Sequence, residues 1–284
     1  VVLPSSLGFT STIQNVGKVQ NKGIELGLDA QILTGAFKWD LNANISFNRN
    51  KVIKLNNGED ILDGYVHVVA LSDNSKILRE GRPIGQFWGY LEDGYNESGK
   101  IKYQDLTPDG KLTADDKTYI GDANPDFIYG LNSTMSYKNF ELNIFLQGTY
   151  GNDLFNLSAV SYAYDYVSGM NMLKEVLDNS WTPTNTNAKY PIISRNTSIN
   201  VSDRFIEDGS YLRLKNIQLA YNLPVQNLGL NKIQSLQIYM SAQNMLTLTK
   251  YSGSDPEVNS AGLGIDNKSY PMSKSITFGF RVRF

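Results

Sequence analysis

Apolar and polar residues alternate one by one through long stretches of this chain. Ile24, Leu26, Leu28, Ala30 and Ile32 fall on one side of an extended backbone, and Glu25, Gly27, Asp29 and Gln31 on the other. Beyond a tight turn at Thr34-Gly35, Phe37, Trp39, Leu41, Ala43, Ile45 and Phe47 repeat the pattern against Lys38, Asp40, Asn42, Asn44 and Ser46. Successive side chains of a strand point to opposite faces, so these runs read as the two arms of a β-hairpin. The alternation returns at 127–135 and 140–147, around a turn near Lys138-Asn139, and again at 211–222 and 236–248. In a last run, Ile276, Phe278, Phe280, Val282 and Phe284 oppose Thr277, Gly279, Arg281 and Arg283. A run of about ten residues is what a tilted strand needs to cross a bilayer, whereas strands of water-soluble domains average about five or six.

The connections sharpen this reading. Short turns fall around residues 34, 138 and 224–234, and long polar stretches at 48–83, 92–126, 151–210 and 249–273. Tight turns at one end and extended loops at the other are the pattern of a transmembrane barrel. The apolar stripes carry no Lys, Arg, Asp or Glu at the positions named, as expected where a mid-bilayer cation costs about 2–4 kcal/mol. The prediction is an all-β antiparallel barrel portion with long extracellular loops and one short loop helix. The alternative is a soluble all-β carbohydrate-binding module, a sandwich whose apolar faces bury one another.

Composition narrows the classes. The 284 residues carry a net charge of −2 with 19% charged side chains, which leaves no basic field for nucleic acid. Cys is absent and His67 is the only histidine, so Cys-ligated and multi-His metal sites and thiol nucleophiles drop out. Mean hydropathy is −0.31 and no apolar run approaches the roughly 18 residues of a spanning helix, a test that barrel strands escape. Residues 1–6 lack the pattern of a secretory leader, so either a leader was removed or the chain is a fragment.

Three groups of residues invite a chemical reading. In the segment 105–116, Asp105, Thr107 and Asp109 occupy positions 1, 3 and 5 of an EF-hand-like loop. Gly110 supplies the turn, Lys111 offers a carbonyl at position 7, and Asp116 stands at position 12, a spacing of oxygen ligands that suits Ca²⁺. Thr107 and the short Asp116 depart from that loop's usual ligands, and an Asp-Gly turn in a solvated loop explains the same residues. Residues 158–181 hold the one helical period, with Leu173, Leu177 and Trp181 four apart and Pro183 as its stop. The adjoining Tyr162, Tyr164, Tyr166 and Trp181 either stack on substrate or meet a partner, or form a small loop core. Catalysis is not expected: no Gly-x-Ser-x-Gly occurs, His67 reads as a solvent-facing strand or loop residue, and adjacent carboxylates such as Glu92/Asp93 point apart.

Several longer strings carry a resemblance. The period-2 run closing on Phe284 resembles the terminal strand of outer-membrane barrels. The segments 15–26, 79–90 (Arg79-Glu80-Gly81-Arg82-Pro83-Ile84-Gly85-Gln86-Phe87-Trp88-Gly89-Tyr90), 208–216 and 241–257 are similar, in order, to SusC/RagA-like TonB-dependent outer-membrane transporters. The resemblance implies a multi-pass location in the cell outer membrane, import of oligosaccharides or peptides, a SusD-like surface lipoprotein as partner and TonB as the energy source. It also implies an Asp-rich loop near residues 105–116. Such transporters have a barrel of about 22 strands and an amino-terminal plug. About eight to ten candidate strands are found here. The whole chain, 1–284, therefore resembles the carboxyl-terminal portion of such a barrel, with the plug and the energy-coupling box expected elsewhere. Open sheet edges do not stand in lipid, so the missing strands are expected from the remainder of the barrel.

Overall fold

A computed structural model describes residues 17–55, 58–164, 171–194, 199–228, 232–258 and 264–284. The first hairpin pairs β1 (Lys18–Thr34) with β2 (Phe37–Lys54). An outer excursion follows, holding β3 (Ile61–Val68), β4 (Leu71–Leu78), β5 (Gln86–Gly89), β6 (Glu92–Tyr95), β7 (Ile101–Tyr103) and β8 (Thr118–Asp122). The chain returns through the hairpin of β9 (Phe127–Tyr137) and β10 (Phe140–Tyr150), turning at Lys138 with φ 53°. A second excursion contains β11 (Asp153–Phe155), α1 (Leu157–Tyr164), α2 (Lys174–Asp178) and β12 (Ile206–Asp208). The last strands are β13 (Tyr211–Leu223), β14 (Ser235–Thr249) and β15 (Ser275–Arg283).

Seven strands form one antiparallel sheet in the order β1-β2-β9-β10-β13-β14-β15, and the other eight lie in three small loop sheets. The eight to ten candidates thus reduce to seven crossings. The long stretches expected at 48–83 and 92–126 belong to a single excursion, because β5 pairs with β4 and β8 rather than crossing. The helical period at 158–181 is also interrupted, giving two short helices among the described residues. Asn156 caps the first, its Oδ1 accepting the Ala159 N–H at 2.8 Å.

Register sorts the faces. Leu33, Trp39, Met135, Leu142, Leu219, Met240 and Phe278 lie side by side across all seven strands. One residue along, Gln31, Asp40, Thr134, Asn143, Gln218, Ser241 and Thr277 make the matching polar row on the opposite face. Two irregularities keep the faces separate. A bulge between Gln31 and Leu33 hands the stripe from Ala30 to Leu33 and leaves Ile32, expected in the stripe, without a register partner. A shift between Leu214 and Asn216 likewise sets Lys215 aside.

The apolar face is bare: Phe278 and Phe280 are each 75% exposed and Leu219 is 51% exposed. Aromatics edge it. Phe37, Tyr137, Phe140 and Tyr221 share a row at the short-turn end, and Phe47, Phe127 and Tyr150 cluster at the other, with the last two stacked at 5.2 Å. Tyr150 stands ten residues beyond Phe140. At about 3.4 Å per residue and a tilt of about 40° the two girdles are about 26 Å apart, against an apolar band of about 25 Å in outer-membrane barrels. The buried core lies instead in the loops, where Val66, Leu71, Phe87, Phe155, Val160 and Val201 pack together. A sandwich would have inverted that arrangement, so the soluble carbohydrate-binding alternative does not describe this fold.

Candidate functional site

Side chains on the polar face of the sheet bond mainly to one another. Asn143 Nδ2 donates to Asn132 Oδ1 at 2.9 Å and to Thr134 Oγ1 at 3.0 Å, and Asn42 donates to Asp29. Above this face the loop after β14 folds back onto β13. Arg213, 1% exposed, pairs with Asp255, and its Nη1 donates to Glu257 Oε2 at 2.9 Å. Lys215, the residue set aside by the strand irregularity, donates to the same Glu257 oxygen at 2.7 Å. Asp255 also accepts the N–H of Met272 at 2.8 Å and of Glu257 at 2.9 Å. Burial, the largest influence on its carboxyl, acts to raise the pKa. Arg213 and the two amides outweigh it and hold the group below the usual carboxylate range.

A cavity of about 590 Å³ opens among the outer loops, lined by α1, by Leu173, Glu175, Lys189 and Tyr190, and by residues around 204–207 and 252–254. Tyr162 and Tyr164, singled out from the sequence, both line it: Tyr162 is 43% exposed, and Tyr164 is buried against Phe205 and Tyr190. Burial pushes the Tyr164 phenol up to about 12. Its oxygen accepts from Arg204 Nε at 2.7 Å, and Arg204 also reaches Glu92, Tyr95 Oη and the Lys189 carbonyl. Glu207 accepts from Asn156 and Ser252. Arg204 and Glu207 were not legible in the sequence, because their side-chain partners lie 40 or more positions away. The walls thus offer one exposed aromatic ring over a fixed polar frame. Trp181 is not part of it: the indole is buried over Gly99, where an added Cβ would come within 2.3 Å of a ring atom. Tyr166 lies outside the described residues.

In the loop 105–116, Asp116 Oδ1 accepts the N–H groups of Leu106 and Thr107, each at 3.0 Å, and the Thr107 hydroxyl at 2.9 Å. Its Oδ2 accepts the Thr113 N–H at 2.7 Å. Asp105 takes the Gly110 N–H at 2.7 Å, and Asp109 takes the N–H of Lys111. No group of three acidic or His residues converges among the described residues. Asp116 serves here as the loop's internal clasp, and the Thr113 N–H leads the interactions that hold its pKa at about 2. A depressed carboxylate contributes stability above its unfolded value and loses it as pH falls through the folded one. Acidification from about pH 4 through about 2 therefore opens this loop. Asp116→Asn does the same at neutral pH, raising hydrogen exchange at Leu106, Thr107 and Thr113 while β9 amides stay protected.

No protein-family model matches the chain. It is 34% identical to TonB-dependent receptor P3 of Formosa agariphila, over 99% of the chain and 30% of that protein. It is 31% identical to TonB-dependent receptor SusC of Bacteroides thetaiotaomicron, over the whole chain and 28% of that protein. Among solved structures it matches the RagAB peptide transporter with a TM-score of 0.80 and 28% identity, covering 99% of this chain and 31% of the other. The chain spans about three tenths of the length of these relatives.

Proposed function

This chain is homologous along its whole length to SusC/RagA-like TonB-dependent receptors, a family of outer-membrane β-barrels that transport rather than catalyse, and from that premise we propose its role. It forms the carboxyl-terminal wall and outer loops of an importer for oligosaccharides or peptides. The importer works with a SusD-like surface lipoprotein and draws on TonB through parts outside this chain. One observation carries the reading: a continuous apolar face, exposed and edged by aromatics, backs a continuous polar face across seven strands. Lipid on one side and water on the other is the environment that satisfies both. The remaining strands of the barrel complete the pairing at β1 and β15, which have one neighbour each.

The cavity at Tyr162 is the proposed contact for cargo, since an exposed ring above fixed donors and acceptors suits a sugar ring or a peptide side chain. Uptake of labelled oligosaccharides and peptides by cells carrying the whole receptor, with TonB active or disabled, tests the importer. Uptake of one class is expected to require both; uptake indifferent to the receptor would refute it. Tyr162→Ala is expected to raise the half-saturating cargo concentration by about threefold to tenfold with little change in maximal rate.

A structural Ca²⁺ on residues 105–116 is a separate proposal, supported by the spacing of Asp105, Asp109 and the turn at Gly110 (φ 78°). Thermal unfolding with and without Ca²⁺ tests it. An upward shift that Asp105→Asn removes is the expected result, and no shift would dismiss the ion.

A further inference from the structure

The outward face of the first hairpin changes character above the upper aromatic cluster. Ile24 pairs with Phe47 on that face, and the next rows outward are Lys22 with Arg49 and Gln20 with Lys51. The hairpin then closes with Lys18 opposite Lys54. All five basic residues are exposed. Lys22, Lys51, Lys18 and Lys54 make no ion pair among the described residues, and Arg49 is engaged by Asp126 at 2.8 Å. Like charges directly across a strand pair repel; Asp126 offsets Arg49, which leaves Lys22, Lys51 and the facing Lys18 and Lys54 without a carboxylate among the described residues. At the short-turn end the outward rows of the same hairpin are Leu33 with Trp39 and then Phe37, which carry no cation; beside Phe37, Tyr137 of the next hairpin has Lys138 Nζ 5.4 Å from its ring centre. An anion between the rows would remove the repulsion.

Height identifies where that anion comes from. Taking the apolar face as lipid-facing, as proposed above, Lys22 and Arg49 lie about 5 Å and Lys51 about 10 Å beyond the Phe47 row, at about 3.4 Å per residue and a tilt of about 40°. The headgroup layer of a bilayer occupies about the first 5–8 Å outside the hydrocarbon. We propose that Lys22 and Lys51 form a site for a phosphate-bearing lipid headgroup of the outer leaflet, Lys51 reaching back down to that layer on its flexible stem, with Lys18, Lys54 and the Asp126-bound Arg49 adding to its field. The lipid's chains lie on Ile24, Leu26 and Leu28 below, which are 65%, 60% and 55% exposed. Cations near an anionic membrane surface each contribute about fivefold in binding.

The test is native mass spectrometry of the whole receptor in mild detergent, offered a phosphorylated outer-leaflet glycolipid or the same lipid after enzymatic dephosphorylation. The receptor is expected to retain the phosphorylated form, and the Lys22→Gln/Lys51→Gln double variant about twentyfold less of it. Equal retention by the variant, or equal retention of the dephosphorylated lipid, would overturn the site. Inorganic phosphate bound without lipid as tightly as the glycolipid would overturn the headgroup assignment. Quenching of Trp39 by bilayers with brominated acyl chains checks the lipid-facing reading separately. Quenched Trp39 with unselective lipid retention removes this site alone, and unquenched Trp39 removes the reading beneath it.

Discussion

Ile217→Arg is expected to lower the stability of the assembled receptor by about 2–4 kcal/mol, whereas Gln218→Arg, one residue along, should change it by less than about 1 kcal/mol. Ile217 lies between Ile144 and Ala242, on the row midway between the two aromatic girdles. A guanidinium there must be held in hydrocarbon or drag water in with it. Gln218 faces the other way, between Asn143 and Ser241, where an arginine stays hydrated and has polar neighbours. Urea titration of the receptor folded in liposomes measures both. Similar costs for the two variants would mean that neither face meets lipid.

Arg213→Ala is expected to release the loop after β14 at a local cost of about 3–5 kcal/mol, the range for removing one partner of a buried pair. The loss is large because Asp255 stays behind at 6% exposure with its charge unmatched. Hydrogen exchange at Met272 and Glu257, whose amides Asp255 holds, should rise steeply while the middle of β10 remains protected. Lys215→Ala should do less, since Glu257 is 32% exposed and keeps Arg213. The same contact sets a pH response. Because the Asp255 carboxyl is depressed, its contribution is complete above the ordinary carboxylate value of about 4 and disappears as pH falls through the lower folded value. Loop protection that is flat from neutral pH to about 5 and lost below about 4 is the expected profile.

The sheet was legible in the sequence because a strand with lipid on one side and water on the other must alternate, and only the aromatics Phe145 and Tyr239 break the alternation of Phe140 to Gln147 and Leu236 to Gln243. The same stretches named the short turns and, by their length, the membrane. What stayed hidden depends on partners far along the chain. Ile32 reads as part of the stripe until the bulge beside it is seen in register with Asp40 and Trp39. Segment 84–91 gave no sign that β5 stays in the loop sheet, since four residues carry too little period to choose. The loop core joins Val66 to Phe155 and Val201, and the α1 cavity joins Tyr164 to Arg204, pairings that no local pattern announces. Arg213 and Asp255 both lie in strings that resembled the family, but their side-chain contact spans 42 positions.

The two-sided environment of the sheet can be read directly: this chain has no cysteine to interfere, and any elsewhere in the receptor are replaced by serine. Single cysteines at Leu142, Asn143, Ile144, Phe145, Leu146 and Gln147 of β10, spin-labelled in the whole receptor in a bilayer, would be scored for collision with oxygen and with a water-soluble nickel complex. Oxygen access is expected at Leu142, Ile144 and Leu146 and nickel access at Asn143, Phe145 and Gln147, with the two profiles out of phase at a period of two residues. Profiles in phase, or Leu142, Ile144 and Leu146 shielded from both reagents, would contradict the two-sided environment.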